Sequence, residues 1–199
     1  AAFWTEISDY QTTSTDLPVG AVVGRQYISN IPKVRSRGIE GEFTVAPTDS
    51  LSFNASATYT DATYVTYKNA PQAFERQNLG AIQDLSGERL PGVPKWAWTV
   101  GADFNTPLGD LGGKEVGLYA HADYAYRSNF NTSASNSAWA QIPGFGIANG
   151  RIGLRADDGL WDFSIWAKNR FDKNYFVSLS AANTGAVTAQ LGEPRTFGA

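Results

Sequence analysis

His121 and Asp123 stand two residues apart in a stretch of alternating side chains, so an imidazole and a carboxylate share one strand face as a base and its orienting partner would. Acyl-transfer chemistry also needs a nucleophile beside such a pair. The chain has no cysteine, and no serine is marked out beside the pair. Hydrogen bonding within a wall is the plainer reading of His121 and Asp123. Glu40 and Glu42 likewise share a face, as paired-carboxylate hydrolysis would require, or serve as wall charges facing Arg151 or Arg155. The glycine-rich segment 109–113 lacks the Lys-Ser/Thr tail of a phosphate-cradling loop and reads as turn chemistry. A single histidine and no cysteine exclude thiolate and His-rich metal sites. No catalytic residue, metal ligand or cofactor site is therefore assigned.

The elements that position these residues are strands. The 199 residues are 42% hydrophobic and 13% aromatic, enough for a folded domain, yet they contain no apolar run of spanning-helix length. Any membrane role must come from β-strands. Sixteen Lys and Arg against nineteen Asp and Glu leave a net charge of -3 without a basic stripe, which argues against a nucleic-acid partner.

Period-two alternation is clearest over 51–60, where odd positions are apolar and even ones small and polar. It recurs over 3–10, 28–46, 96–104, 116–124, 148–155 and 161–170, with a stub at Thr196. That makes roughly eight antiparallel strands. Tight turns at 47–50, 107–114 and 157–159 alternate with long connections at about 11–27, 64–94, 127–144 and 172–194. Short turns at one end and long loops at the other are the signature of an up-and-down transmembrane β-barrel.

At about 3.3 Å per residue and a tilt near 40°, an apolar band about 25 Å tall takes about ten residues. The outward parity carries Leu51, Phe53, Phe104, Trp161 and Phe163 at its lower end. Tyr59, Trp96, Trp98, Tyr124, Tyr126 and Phe171 lie at its upper end, with mostly aliphatic residues and glycine between. Two aromatic girdles around an aliphatic band suit lipid. Arg35 and Arg37 continue this parity to about 20–26 Å above Val45, where they meet lipopolysaccharide phosphates or stand as solvated rim charges. The opposite parity gives a polar lumen wall of Glu40, Glu42, Tyr119, His121, Asp123, Arg151, Arg155, Trp166 and Lys168.

Four segments resemble the barrel of TonB-dependent receptors. Residues 34–42, VRSRGIEGE, are similar to that family's strand with a Ser-x-Gly-x-Glu core, and 84–96, DLSGERLPGVPKW, to its loop leading into the next strand. Residues 168–176, KNRFDKNYF, are similar to its Asn-Leu-Phe-Asp-x-x-Tyr segment, with Arg170 in place of Leu. Residues 192–198, GEPRTFG, are similar to the segment that opens its last strand. The four occur in the family's order across nearly the whole chain.

The resemblance implies that residues 1–199 are the C-terminal portion, roughly the last eight strands, of a barrel of about 22 strands. The plug domain and earlier strands are expected elsewhere, and the last strand is expected to be truncated after Ala199. It also implies an outer-membrane location in a Gram-negative cell. The implied function is TonB-coupled uptake of a bulky scarce nutrient, a ferric siderophore first, otherwise cobalamin, haem or a glycan. By position, Tyr64, Tyr67, Phe74, Arg76, Phe130, Trp139 and Phe145 on the long loops are the residues placed to touch that ligand. Outer-membrane lipid, lipopolysaccharide and, through the plug, the TonB complex are the implied partners. A small structural or passive-pore barrel remains an alternative, and so does a soluble glycan-binding or hydrolytic β-protein.

Overall fold

A computed structural model describes residues 1–16, 25–181 and 185–199. Fourteen strands appear among them: β1 (Ala2–Asp16), β2 (Arg25–Thr48), β3 (Leu51–Thr66), β4 (Ala70–Pro71), β5 (Ile82–Gln83), β6 (Trp96–Asp110) and β7 (Glu115–Arg127). The second half adds β8 (Phe130–Asn131), β9 (Gln141–Ile142), β10 (Phe145–Ala156), β11 (Asp162–Lys168), β12 (Phe176–Ala181), β13 (Val187–Leu191) and β14 (Thr196–Gly198). Eight of them form one sheet in the order β1-β2-β3-β6-β7-β10-β11-β14, all antiparallel. The all-β, up-and-down reading of the sequence holds.

Several boundaries differ. β1 runs to Asp16 and β2 begins at Arg25, so most of the expected connection 11–27 is strand and its remainder, 17–24, lies outside the described residues. Tyr64 belongs to β3 and Phe145 opens β10, where loops were expected. The reason is general. Apolar alternation marks only the half-buried part of a strand, whereas the backbone ladder continues for as long as donors and acceptors face each other.

The long connections also carry structure of their own. β4 pairs with β5, β8 with β9, and β12 with β13, and 3-10 helices span Phe74–Leu79 and Ala138–Ala140. At the other end the turns are short, and Lys114 and Asp158 form an ion pair that ties two of them together.

Registers fix the two faces of the sheet. One row runs Val45, Phe53, Ala102, Ala122, Gly150, Ala167, Phe197 across neighbouring strands, and another runs Ile39, Tyr59, Trp96. Residues directly opposed in an antiparallel pair point the same way, so these rows share one face. That face is apolar and uncovered: Ile39 is 58% exposed, Phe43 62%, Phe163 72%, Ile165 63% and Phe197 71%. So much contiguous apolar surface in water would drive association; in hydrocarbon it is satisfied.

The dry cores lie at the long-loop end. Ile31, Val34, Tyr64, Tyr67, Ala70 and Leu85 form one cluster, with Leu90 against it. Phe130, Ile142 and Phe145 form another with Ile147, Tyr175 and Leu179. Both pin loop segments to the tops of strands.

Candidate functional site

The polar face of the sheet comes first, because alternation places it opposite the apolar one. His121 sits between two carboxylates: its Nδ1 is 2.7 Å from Asp103 Oδ1 and its Nε2 is 3.4 Å from Asp123 Oδ1. Asp123 accepts a hydrogen bond from Asn149 Nδ2 at 2.8 Å, and Asn149 Oδ1 accepts from the Asn169 backbone N–H at 3.1 Å. Buried Asn169, with φ of 47°, donates through Nδ2 to the Lys173 and Glu193 carbonyls at 2.9 and 3.0 Å. Asparagine tolerates the left-handed conformation, and its amide serves both loop carbonyls at once. A polar chain therefore runs from the wall into the loop 172–194.

Asp103 and Asn169 were not singled out as site residues from sequence. Asp103 had a visible signal, a carboxylate on the polar parity of an otherwise apolar stretch, whereas its pairing with His121 needed the register of β6 on β7.

Below this chain, Tyr119 donates to Asp162 at 2.6 Å, with the guanidiniums of Arg151 and Arg155 5.1 and 5.3 Å from its ring centroid. Arg155 also donates to Asn105 Oδ1 at 3.2 Å. Lys168 Nζ lies 6.0 Å from the Trp166 ring on the same face. Glu40 and Glu42 stand opposite Thr58 and Ser56. Their suggested partners Arg151 and Arg155 lie on β10, four strands further along the sheet, so that pairing does not form. The wall is a hydrogen-bonded lining, and no serine hydroxyl among the described contacts meets His121.

The loop end divides the sequence-derived ligand set in two. Tyr64, Tyr67, Phe130 and Phe145 are buried, 2–8% exposed, with Tyr64 tilted on Tyr67 at 5.1 Å and Phe145 stacked on Tyr175 at 4.5 Å. Arg127 caps the Phe145 ring at 5.4 Å. Arg76 and Trp139 are exposed, Trp139 by 40%, and half-buried Phe74 forms a tilted pair with Trp139 at 5.7 Å.

These surface residues are held by contacts between loops. Glu75 Oε1 accepts from the Ala138 N–H at 2.7 Å and Oε2 from Ser137 Oγ at 3.0 Å. Gln83 Nε2 donates to the Ser135 carbonyl at 2.7 Å, Asn136 Nδ2 to Glu88 at 3.2 Å, and the Gly92 N–H to the Asn131 carbonyl at 2.7 Å. Thr132 Oγ1 donates to the Leu179 carbonyl and accepts its N–H, bringing in the loop 172–194. Partial burial pushes the Glu75 carboxyl up, but its own backbone N–H, the Ala138 N–H, the Ser137 hydroxyl and nearby Arg76 together pull it below its ordinary value.

On the apolar face, Tyr59 meets Trp96 at 4.9 Å, and Trp98 contacts Tyr124 and Tyr126 at 5.4 and 5.3 Å, forming two neighbouring ring clusters. Trp161 and Phe163 pair at 5.5 Å near the short turns. Arg35 and Arg37 stand above the upper belt, both within 5.4 Å of the Trp4 ring centroid, and Arg37 is paired with Asp61 at 2.9 Å.

The family described as TonB dependent receptor-like, beta-barrel, matches residues 1–181. A ferric-pyoverdine M114 receptor, PbuA, of Pseudomonas sp. (strain M114) is 28% identical over 168 residues, which are 84% of this chain and 18% of that protein. The ferric yersiniabactin uptake receptor FyuA of Yersinia pestis superposes with a TM-score of 0.70 at 16% identity, over 98% of this chain and 25% of that one. The siderophore receptor PiuA of Acinetobacter baumannii superposes with a TM-score of 0.64 at 19% identity, over 98% and 24%. The two structural likenesses concern fold, and this chain spans only about a quarter of those structures or less.

Proposed function

The chain belongs to the TonB-dependent receptor β-barrel family, whose members are transport receptors of the Gram-negative outer membrane, and on that premise we propose that it helps take up a ferric siderophore. Residues 1–199 supply the C-terminal part of the barrel wall and its extracellular loops. The plug domain and the remaining strands lie elsewhere in the protein, and the TonB complex acts through that plug. Relatives named as ferric-pyoverdine and ferric-yersiniabactin receptors favour a siderophore over cobalamin, haem or a glycan.

One observation carries the reading. Three long loops at one end of the sheet are bonded to one another by Glu75, Gln83, Asn136 and Thr132 while leaving Arg76 and Trp139 exposed. A cation and an aromatic ring on a braced surface suit an anionic, aromatic-bearing chelate, because little ordering remains to be done on binding. In this reading Phe74, Arg76 and Trp139 touch the ligand, and Tyr64, Tyr67, Phe130 and Phe145 hold the loops that present them. Lumen residues such as His121, Asp123, Glu40 and Glu42 line the path and catalyse nothing.

The test is iron uptake. The full-length protein is expressed in a Gram-negative strain stripped of its own siderophore receptors, and growth on a panel of ferric siderophores is scored with and without a working TonB complex. Growth on at least one chelate that disappears without TonB supports the proposal. TonB-independent passage of small solutes with no chelate uptake would make the protein a passive pore instead.

A further inference from the structure

We propose that His121 is a positioning residue: by gaining and losing a proton on the lumen wall it tightens and loosens the stem of the loop 172–194. Its bearing on nutrient capture rests on the reading above that the long loops present the ligand surface; the positioning itself does not.

The ring is placed to feel its own charge. Both nitrogens of His121 face carboxylates, Nδ1 toward Asp103 at 2.7 Å and Nε2 toward Asp123 at 3.4 Å. A neutral imidazole has one N–H and one lone pair, whereas the charged ring donates from both nitrogens. With the single proton on Nδ1, where the contact is shorter, the Nε2 lone pair turns toward Asp123, acceptor against acceptor. Only the charged ring satisfies both carboxylates. A residue that merely lined the wall would need one acceptor, and here two converge, one from β6 and one from β7 itself.

The surrounding charges favour the same state. β6 contributes Asp103, β7 contributes Tyr119 and Asp123, and β10 contributes Arg151, directly opposite His121. The guanidiniums of Arg151 and Arg155 lie over the Tyr119 ring, whose hydroxyl donates to Asp162 on β11. Three carboxylates thus stand with two guanidiniums, and a charged His121 cancels the negative charge left over.

Asp123 turns that charge into a position. Its Oδ2 accepts from Asn149 Nδ2 at 2.8 Å, which commits the other end of the amide, Oδ1, to the Asn169 N–H at 3.1 Å. Buried Asn169 accepts the Lys173 N–H at 2.8 Å and donates to the carbonyls of Lys173 and Glu193, the two ends of the loop. Asp172 closes the stem beside them, accepting the Arg195 N–H at 3.2 Å. A neutral ring that repels Asp123 therefore frees an amide whose far end holds the stem. From the stem, Leu179 reaches Thr132 on the neighbouring loop, which also carries Trp139. The direction follows: carboxylate partners favour the charged ring, so the stem is held in mild acid and loosens as rising pH removes the proton.

The experiment takes the full-length protein in lipid nanodiscs from about pH 8 to about pH 5, the range in which a histidine side chain changes charge. Glu75, held below its ordinary value, stays ionised throughout and leaves its own loop contact unaltered. Hydrogen exchange, corrected for the intrinsic pH dependence of amide rates, is read at 174–181 and 187–193 without ligand. Protection there should rise about fivefold on acidification, with β3 and β6 unchanged. His121→Gln, which cannot gain the proton, should flatten the profile. Asp123→Asn, which keeps an acceptor for Asn149 and removes the charge, should do the same. A flat profile in the unaltered protein, or a step that survives either substitution, overturns the proposal. The flat profile is decisive even if neither variant inserts. Growth on ferric siderophores is scored separately: uptake with a flat exchange profile sinks the positioning role alone, and an exchange step without uptake sinks the receptor reading alone.

Discussion

Glu75 and Ser137, on different loops, are joined through a carboxylate that accepts the Ser137 hydroxyl at 3.0 Å and the adjacent Ala138 N–H at 2.7 Å. The contact caps the start of the 3-10 helix Ala138–Ala140, which carries Trp139, so one carboxylate sets the position of an exposed ring. Removing it by Glu75→Ala should cost about 1 kcal/mol of loop docking. Amide hydrogen exchange at 137–142 should then accelerate about fivefold while exchange in β6 and β7 stays unchanged.

The same carboxylate makes the loop contact sensitive to acid. Its pKa is lowered from an ordinary 4.5, because its hydrogen bonds and nearby Arg76 outweigh the desolvation that raises it. A lowered folded-state pKa means the stabilisation is fully present above pH 4.5 and is lost as pH falls through the lowered value. Protection of 137–142 should therefore hold at neutral pH and fall in strong acid, whereas Glu75→Gln should show no such step.

Gly38 marks a close approach between β2 and β3. A Cβ built there would lie 1.9 Å from the Tyr59 carbonyl oxygen and 2.7 Å from the Phe3 ring. Gly38→Ala must shift backbone, at about 1–3 kcal/mol, and should lower the temperature at which the folded barrel loses its heat-modifiable gel band.

Exposed and buried loop aromatics should separate in function. Arg76→Ala or Trp139→Ala should weaken ferric-siderophore binding about tenfold, near 1.4 kcal/mol, with stability unchanged. Phe130→Ala, which empties a position in the cluster with Ile142 and Phe145, should cost about 3–5 kcal/mol of folding first. Equilibrium binding and denaturant titration on the same preparations distinguish the two effects.

Much of this architecture was legible in the residues. Alternation located the strands, and it set Tyr59, Trp96, Trp98, Tyr124 and Tyr126 on one parity, where their rings meet in the folded sheet, because a period-two pattern survives any strand length. Tyr64 and Phe145 were misplaced because backbone ladders extend past the apolar alternation that reveals them. Contacts such as Asp103 with His121 and Glu75 with Ser137 join residues 18 and 62 apart, and only the assembled register brings them together.

The central claim is that one face of the eight-stranded sheet meets lipid while the other lines a lumen. Spin labels placed singly along 118–124 of the full-length protein, in a background free of other cysteines and reconstituted in bilayers, read it out directly. Labels at Leu118, Ala120, Ala122 and Tyr124 should be accessible to oxygen dissolved in hydrocarbon and shielded from a polar nickel chelate. Those at Tyr119, His121 and Asp123 should show little oxygen exposure, so that accessibility oscillates with a period of two residues. Uniform accessibility along the strand, or the opposite phase, would contradict the account.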